Sequence, residues 1–517
     1  MIEFELKLVI PADRLRFVVA AMHEGKANQQ RFHAYYFDTE EGLLASQGIT
    51  VRVRKEGARW MQTAKGTLDH SASLLERLEH NVDIPAPVAG GIPSVNLARH
   101  FGTPVGNSIQ LALKLKADDM LPALILMYET DFQRLKRRVR LAGSVIEIAL
   151  DQGQVISGSN SLALCELEVE LKQGKPEHAV QLARIWCAKY GLWMSTIAKS
   201  MKGQRLRNGK TFGPAMSAVP PKYDRNANGQ QIFITVLQSC LSQVLANASE
   251  VAAGSVDPEH VHQLRVGIRR LRTAIRELKT LVGGIDSICV APLIDAFRDL
   301  GKYRDVDLLT QSVQPQIKAA GGPDVDIHSE NSNATNLSAV VCSAAFQDAL
   351  LSLIGYVYVE EFDMAIQEKQ HTHAAVENNV IRNSVMKNKA VKKLICARLN
   401  KLHSQIIKNG RKFLVLDEVQ QHGMRKRIKR IRYLTEFSAP LFSARKTSSF
   451  IASLKPVQDA LGIYHDEIMA LQSYRNFVSQ DTAAWFGAGW LSARRIPNAK
   501  ICLRGFKTLA KAKPFFD

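Results

Sequence analysis

Charged and apolar residues alternate in two distant stretches of the chain, and this alternation constrains the fold more than any other sequence feature. The first stretch, Ile2 to Leu8, places Glu3, Glu5 and Lys7 between apolar residues. The second, CELEVELK at 165–172, repeats the pattern with three glutamates and a lysine. Successive side chains of a strand point to opposite faces. Each stretch therefore predicts a strand with one ionic and one apolar face.

Further strands and two helices are predicted around these stretches. Glycines at 48, 57 and 143 stand where turns are needed, which favours antiparallel hairpins. Strands are predicted over 34–37, 50–55, 59–65, 77–84, 128–141, 144–150 and 162–172, and helices over 11–22 and 178–190.

The ionic faces of these strands allow two interpretations. If they point outward, the sheet has an unusually charged exterior, as the wet face of a half-buried strand would. If they point inward, the sheet closes into a barrel whose lumen is lined by cations and carboxylates. Such a lumen would bind a compact polyanion through its cations and a hard divalent metal through its carboxylates.

An ordered set of motifs runs through residues 1–205. They are EFELK at 3–7, YYFDT at 35–39, VRVR at 51–54, Lys65, RLE at 77–79, TDFQR at 130–134, EIALDQG at 147–153, CELEVEL at 165–171 and Lys199. Together they resemble the CYTH, or triphosphate tunnel metalloenzyme, superfamily. The resemblance implies an eight-stranded antiparallel β tunnel that hydrolyses or rearranges triphosphates with Mg²⁺ or Mn²⁺.

The resemblance also implies two sets of site residues in this tunnel. Glutamates would hold the metal: Glu3, Glu5, Glu79, Glu166, Glu168 and Glu170. Cations would hold the phosphates: Lys7, Arg52, Arg54, Lys65, Arg77, Arg134 and Lys199. Asn81 departs from the family pattern, since many relatives have a carboxylate there. Arg138 and Arg140 are expected to be solvated hairpin charges.

An internal repeat marks the second half of the chain. Twice, 160 residues apart, a histidine is followed by basic residues at offsets 3, 7, 8 and 10. The first copy is His262, Arg265, Arg269, Arg270 and Arg272, and the second is His422, Arg425, Lys429, Arg430 and Arg432. Offsets 0, 3, 7 and 10 fall within about 80° of one another on a helix. Each copy therefore predicts a helix with a narrow stripe of histidine and cations.

Few acidic partners accompany these stripes, so an anion groove is a better interpretation than a salt-bridged helix surface. This half of the chain resembles the CHAD domain, a helical module that often follows CYTH, and the resemblance implies binding of inorganic polyphosphate. The implied binding residues are His262, Arg265, Arg269, Arg272, His422, Arg425, Lys429 and Arg432. Aromatic residues are sparse in the stripes, which argues against stacking platforms for single-stranded nucleic acid. A nucleic-acid-binding role, for example on a duplex, stays open as a further alternative.

Composition agrees with a basic, two-domain protein. The 517 residues carry a net charge of +19, with 40 basic and 27 acidic residues after position 220, which implies a polyanionic partner for this half. Seven scattered cysteines without a CxxC pair indicate a reducing cytoplasm. No segment reaches 18 uninterrupted apolar residues, so we expect no transmembrane span. The first residues lack the basic-then-apolar order of a signal peptide, so we expect none.

We therefore predict an α+β protein with a tunnel domain over 1–205 and an all-α domain with an internal pseudo-twofold repeat over 230–505. The linker between them is predicted over 206–229, within a polar segment that covers 203–229. The predicted activity is metal-dependent hydrolysis of inorganic triphosphate. Two alternatives remain within enzymes, hydrolysis of thiamine triphosphate and cyclisation of ATP. A third is a polyphosphate-binding protein whose tunnel is inactive.

Overall fold

The strands form an antiparallel sheet that closes on itself at its first strand. In chain order they are β1 Ile2–Val9, β2 Asn28–Asp38, β3 Thr50–Glu56, β4 Arg59–Thr67, β5 Glu76–Ile84, β6 Ile125–Leu141, β7 Ser144–Ser157, β8 Asn160–Gln173 and β9 Trp193–Met194. Neighbours run β5, β4, β3, β2, β6, β7, β8, β1, and β1 also pairs with β5. The predicted eight-stranded antiparallel barrel is confirmed. The short β9 pairs with the C-terminal end of β1.

The computed structural model describes residues 2–67, 75–87, 91–116, 119–282, 290–327, 336–370 and 386–516. Two units are distinguished. The first unit comprises Met1–Ser217, Leu245–Ser255 and Val341–Ala374, and the second comprises Ala218–Val244, Val256–Val340 and Ala375–Asp517.

Helices follow the barrel strands and make up the second half of the chain. The early helices are α1 Leu15–Met22, α2 Leu43–Ser46, α3 Pro104–Ala112, α4 Pro176–Tyr190 and α5 Lys199–Arg207. The later helices are α6 Gly229–Ala252, α7 Pro258–Leu278, α8 Ala291–Leu308, α9 Gln314–Ala319, α10 Leu337–Cys342, α11 Ala344–Gln370, α12 Asn388–Gly410, α13 Glu418–Ser438, α14 Ala444–Phe477 and α15 Ala484–Leu509.

The outer face of β1 is apolar and covered by helices. Phe4, Leu6 and Leu8 are at most 5% exposed. Helix α4 packs on β1 and β8, and α11 packs on α4. The ring of Tyr358 on α11 meets Phe4 edge-on, with 4.8 Å between ring centroids. Burying each large apolar side chain contributes about 1.5–3 kcal/mol. This burial fixes the register that turns the ionic residues of β1 into the lumen.

Several element boundaries differ from those predicted. The first helix begins at Leu15 rather than at 11, because the amide of Arg14 donates to the carbonyl of Pro11 and forms a turn. Strand β2 begins at Asn28, six residues before the predicted start, because its polar first half pairs with β6. Helix α5 runs to Arg207 and so includes the first residues of the predicted linker.

In the second unit, each copy of the sequence repeat forms part of a helix. The first stripe lies on α7 and the second on α13, and these two helices contact each other. Helix α8 packs on α7, and α14 packs on α13. Arg270, at offset 8 of the first copy, faces the interior instead, where its guanidinium donates to Gln243 and Ser239 and is 1% exposed.

Residues 320–337 form a polar stretch of the sequence, from which a loop is expected, and 328–335 lie outside the described residues. Within its described part, Val325 and Ile327 are buried in a cluster with Ile317 and Tyr474. Helix α10 begins at its last residue, Leu337.

Among the described helices, α6 has the length and apolar composition that could cross a membrane. However, 83% of its apolar window is buried within the folded protein. A core helix of a folded domain has this pattern.

Candidate functional site

The barrel encloses a cavity of about 330 Å³ lined largely by charged side chains. The structure brings together in this lumen every tunnel residue predicted from the sequence except Glu166: Glu3, Glu5, Lys7, Arg52, Arg54, Lys65, Arg77, Glu79, Arg134, Glu168, Glu170 and Lys199. They meet because they occupy alternate positions on strands of a closed sheet. Lys199 is the exception, since it lies at the start of α5.

A buried cluster around Lys199 occupies one side of the barrel. The Lys199 ammonium lies 2.6 Å from oxygens of Asp151, Glu166 and Glu168. The second oxygen of Glu166 lies 2.6 Å from the ammonium of Lys202. Glu166 therefore faces this cluster and not the open lumen. The three carboxylates have oxygens within 4.8 Å of one another, so they could hold a metal ion, but here they surround an ammonium.

Arg134 completes the cluster from β6. Its guanidinium donates to both oxygens of Asp151 at 2.6 Å and also to Glu168. Burial raises the pKa of Glu168, but Lys199, Arg134 and Lys7 outweigh it and hold this pKa well below its usual value. Glu168 is therefore an anion under physiological conditions.

The carboxylate of Glu5 is compensated less completely. Burial raises the pKa of Glu5, the nearby Glu168 and Glu3 raise it further, and Lys7 and Lys65 oppose them only in part. Carboxylate oxygens are the protein ligands that Mg²⁺ and Mn²⁺ prefer. Glu3, Glu5 and Glu168 line the same lumen and offer donors of this kind, although the described carboxylates whose oxygens lie within 4.8 Å of one another are those of Asp151, Glu166 and Glu168.

The other two lumen glutamates have different surroundings. Glu79 lies 3.4 Å from Lys65. Burial raises its pKa, but Lys65 and Arg52 outweigh this effect and lower it to about 2. Glu170 lies 2.5 Å from Lys172, yet burial keeps its pKa above the usual value. Glu79 thus acts mainly as a counter-ion to Lys65 and Arg52, whereas Glu170 adds to the surplus of carboxylates.

Strands β3 to β5 contribute four cations to the lumen, and we call them the cationic wall: Arg52, Arg54, Lys65 and Arg77. Burial lowers the pKa of Arg54 to about 10, aided by Arg52 and Arg134 and partly opposed by Glu56. Arg52 also donates to the hydroxyl of Tyr36. Cations that repel one another in a desolvated lumen favour a polyanion there.

Sequence reasoning missed several charged residues of this site, among them Asp151, Glu147 and Lys202. Asp151 is fully buried between Arg134 and Lys199. It shares the ionic face of β7 with Glu147, which lines the cavity, and the EIALDQG motif contains both. Their spacing of four along a strand is a signal that could have identified them. Lys202 gave no signal, because it lies in a segment whose helical register was not predicted.

A second site lies in the second unit, in a cavity of about 660 Å³ between helices α7, α8, α13 and α14. We call it the cationic groove. Its lining includes six residues predicted from the repeat: Arg265, Arg269, Arg272, His422, Arg425 and Lys429. It also includes residues that the repeat did not indicate as ligands: Arg276, Arg298, Lys426, Arg427, Arg430 and His465.

Two of the predicted groove residues are not among those that line it. His262 is one of them. Burial is the main reason that its pKa is lowered, and the charges of Arg304 and Arg269 lower it further. Arg432 donates instead to Glu436 and Gln458. The set of residues at offsets 0, 3, 7 and 10 thus includes two that do not line the groove.

The described residues that line the cationic groove include many cations but no aspartate or glutamate. Burial, together with the charges of Arg269 and Arg425, lowers the pKa of Lys429 to about 6, against a smaller opposing effect of Asp466. Burial likewise lowers the pKa of His465 to about 3. Buried charges of one sign require a partner of the other, so the groove fits an anion.

Comparison with known proteins identifies a domain family for each half of the chain. The closed barrel with carboxylates and cations in its lumen has the architecture expected of a tunnel-type domain, and the CYTH domain model matches residues 1–201. The CHAD domain model matches residues 235–475. The chain therefore contains a CYTH domain followed by a CHAD domain.

Individual relatives are distant. An inorganic triphosphatase from Haemophilus influenzae is 26% identical over 173 residues, which are 33% of this chain and 44% of that protein. This chain thus spans less than half the length of that curated relative. The solved CHAD domain of Ricinus communis is 22% identical, with a TM-score of 0.45, and covers 57% of this chain and 96% of that one. An adenylyl cyclase homologue from Hippeastrum, described as having a dominant triphosphatase activity, is 16% identical, with a TM-score of 0.29, and covers 41% and 97%.

Proposed function

We propose that the barrel hydrolyses inorganic triphosphate with a divalent metal ion, and that the helical unit binds inorganic polyphosphate. The observation behind the first part is that Glu3, Glu5 and Glu168 share one enclosed lumen with Arg52 and Arg54. Carboxylates and cations at this density suit a substrate that is itself a chain of anions accompanied by a metal.

In this proposal the cationic wall binds the phosphate oxygens. Arg52, Arg54 and Lys65 hold the chain by charge-assisted hydrogen bonds. Water attacks a terminal phosphorus, the bond to the bridging oxygen breaks, and pyrophosphate leaves. The fixed cations stabilise the charge that develops on the transferred and leaving oxygens.

Glu3, Glu5 and Glu168 would hold Mg²⁺ or Mn²⁺, which when bound withdraws charge from the phosphate oxygens. The buried Lys199 cluster positions Glu168 from behind, since Lys199 and Arg134 bind its oxygens. We assign Lys199 to this positioning role in addition to its place in the lumen wall.

The size of the lumen favours inorganic triphosphate. About 330 Å³ is at the lower end of the range for ligand pockets, roughly 300–1,000 Å³. Thiamine triphosphate and ATP each add a heterocyclic group to the same phosphate chain. A panel of the three substrates with Mg²⁺ and Mn²⁺ tests the choice, and we expect the highest kcat/KM on tripolyphosphate.

A preference for thiamine triphosphate, or formation of a cyclic nucleotide from ATP, would contradict the substrate assignment. Inactivity of the folded protein on all three substrates with every metal would contradict the enzymatic proposal. It would leave a polyphosphate-binding protein with an inactive tunnel.

For the helical unit, we propose polyphosphate as the ligand because the cationic groove has many cations and few acids. The test is calorimetric titration of the full chain with long-chain polyphosphate, comparing wild type with the double variant Arg269→Ala, Lys429→Ala. Loss of binding in the double variant is the expected result. Duplex DNA that binds tightly and that polyphosphate cannot displace would contradict it.

We also propose a cytoplasmic location, without a membrane partner. Among the described cysteines, Cys165, Cys187, Cys240 and Cys502 are free thiols. Free thiols are typical of proteins in a reducing compartment. Chemical labelling of these thiols without prior reduction, in protein purified rapidly from cells, tests this placement.

A further inference from the structure

A second cationic cavity adjoins the cationic groove. It has a volume of about 480 Å³ and lies between the end of α7, helix α12 and helix α13. We call it the outer cavity. Arg276, Arg427 and Arg430 line both the groove and the outer cavity. The two cavities therefore share one row of guanidinium groups.

Helix α12, which the sequence repeat does not include, supplies the far wall. Arg398 and Lys401 lie three residues apart on one face of this helix and line the outer cavity. The Nη2 atom of Arg398 donates to the hydroxyl of Thr280 at 2.9 Å. Its Nη1 atom is buried without a hydrogen-bond partner in the part of the chain that the structure describes. Thr280 thus holds a guanidinium that has a donor left for a ligand.

Among the described residues that line the outer cavity, one is acidic, Glu277. Its carboxylate lies 3.3 Å from Arg430 and 3.6 Å from Arg276. Burial lowers the pKa of Arg430, Glu277 opposes this in part, and Arg276 and Arg427 add to it. One carboxylate therefore does not neutralise the surrounding guanidinium groups.

We propose that the outer cavity is an extension of the polyphosphate site, which binds further phosphates of a chain already held in the cationic groove. The proposal rests on polyphosphate binding by the helical unit. It adds a dependence on chain length: tripolyphosphate occupies the groove alone, whereas a long chain passes the shared arginines Arg276, Arg427 and Arg430 and reaches Arg398 and Lys401.

Polyphosphate suits the outer cavity better than single-stranded nucleic acid does. No aromatic side chain is among the described residues that line it. Proteins that bind single strands without sequence preference use aromatic side chains as stacking platforms. A linear chain of phosphates needs only closely spaced cations.

The test compares the full-length double variant Arg398→Ala, Lys401→Ala with wild type, by calorimetric titration with tripolyphosphate and with long-chain polyphosphate. We expect long-chain affinity to fall roughly tenfold or more, because charge-assisted hydrogen bonds are lost, and tripolyphosphate affinity to stay unchanged. The control is Lys446→Ala, Lys455→Ala, which removes the same charge from exposed positions on α14 outside both cavities.

Three outcomes would overturn the proposal. One is equal loss for both ligands in the Arg398→Ala, Lys401→Ala variant. Another is an equal loss of long-chain affinity in the control variant. The third is a single-stranded RNA that binds the outer cavity more tightly than polyphosphate and depends on Arg398. Absence of any polyphosphate binding by the wild type would instead refute the proposed function of the helical unit.

Discussion

Glu5 lies directly opposite Glu170 in the pairing of β1 with β8, and both carboxylates line the lumen. Like charges that face each other across a strand pair are destabilising. Burial and the neighbouring Glu168 raise the pKa of Glu5. Burial is also the main cause of the raised pKa of Glu170, where Lys172 opposes it. This pair is a place where a divalent cation would act on stability as well as on chemistry.

The first prediction concerns the effect of metal on stability. Mg²⁺ or Mn²⁺ at about a hundred times its Kd should stabilise the wild type by about 2.7 kcal/mol, and Glu5→Gln should lose most of this gain. Without metal, Glu5→Gln should melt no lower than wild type at neutral pH. A raised folded-state pKa means that ionised Glu5 costs stability, and this cost appears as pH rises through that pKa.

Thermal unfolding with and without metal measures both effects. Glu24→Gln is the matched control, because Glu24 is exposed and outside the lumen. An undiminished metal response in Glu5→Gln would remove Glu5 from the metal site.

The second prediction concerns the cluster around Lys199. Lys199→Met should destabilise the protein by about 3–5 kcal/mol, because it leaves buried carboxylates without their shared cation. Lys202→Met should cost much less, since Lys202 is more exposed and, within the described part of the chain, forms an ion pair with Glu166 alone. Urea unfolding of both variants measures the difference. Equal effects would mean that the three contacts of Lys199 add nothing beyond one surface ion pair.

The third prediction concerns the pH dependence of polyphosphate binding. The pKa of Lys429 is lowered to about 6 in the free protein, and a bound polyanion should raise it. Binding should therefore take up a proton above pH 6, and affinity should fall as pH rises from about 6 to 8. Lys429→Met should flatten this part of the profile. The histidines His422 and His465 have pKa values of about 4 and about 3, so they titrate below this window.

Calorimetry in buffers of different ionisation enthalpy measures the proton uptake. A wild-type profile that is level from pH 6 to 8, with no proton uptake, would show that Lys429 is already charged in the free groove.

The fourth prediction separates residues that the sequence repeat treats alike. Arg269→Ala should weaken polyphosphate binding, because Arg269 lines the cationic groove. Arg432→Ala should leave it unchanged, because the side chain of Arg432 is paired with Glu436 and Gln458. Both variants lose one positive charge, so each controls for the net charge of the other. Equal weakening by both would favour a diffuse electrostatic surface.

Much of the barrel could be predicted from local pattern, because the alternation of charged and apolar residues along a strand shows which side chains share a face of the sheet. Once Glu3 and Glu168 were placed on ionic faces, closure of the sheet brought them into one lumen. The position of Asp151 could not be inferred in the same way. Its partners Arg134 and Lys199 come from another strand and from a helix start, and only the folded sheet brings the three together.

The helical unit was less predictable for a related reason. A stripe on a helix says which residues share a face but not which part of that face meets a cavity. Arg432 and His262 were therefore included although they lie beyond the lining of the groove. The outer cavity depends on Arg398, whose helix has no counterpart motif in the repeat.

The central claim is that the lumen carboxylates hold a metal ion that acts on inorganic triphosphate. The most direct measurement is phosphate release from tripolyphosphate by wild type and by Glu3→Gln, each with Mg²⁺ or Mn²⁺ and each shown to be folded by circular dichroism. We predict metal-dependent release by wild type and loss of it in Glu3→Gln, with Glu24→Gln unaffected. Wild-type activity that persists in Glu3→Gln, or that needs no divalent metal, would contradict the claim.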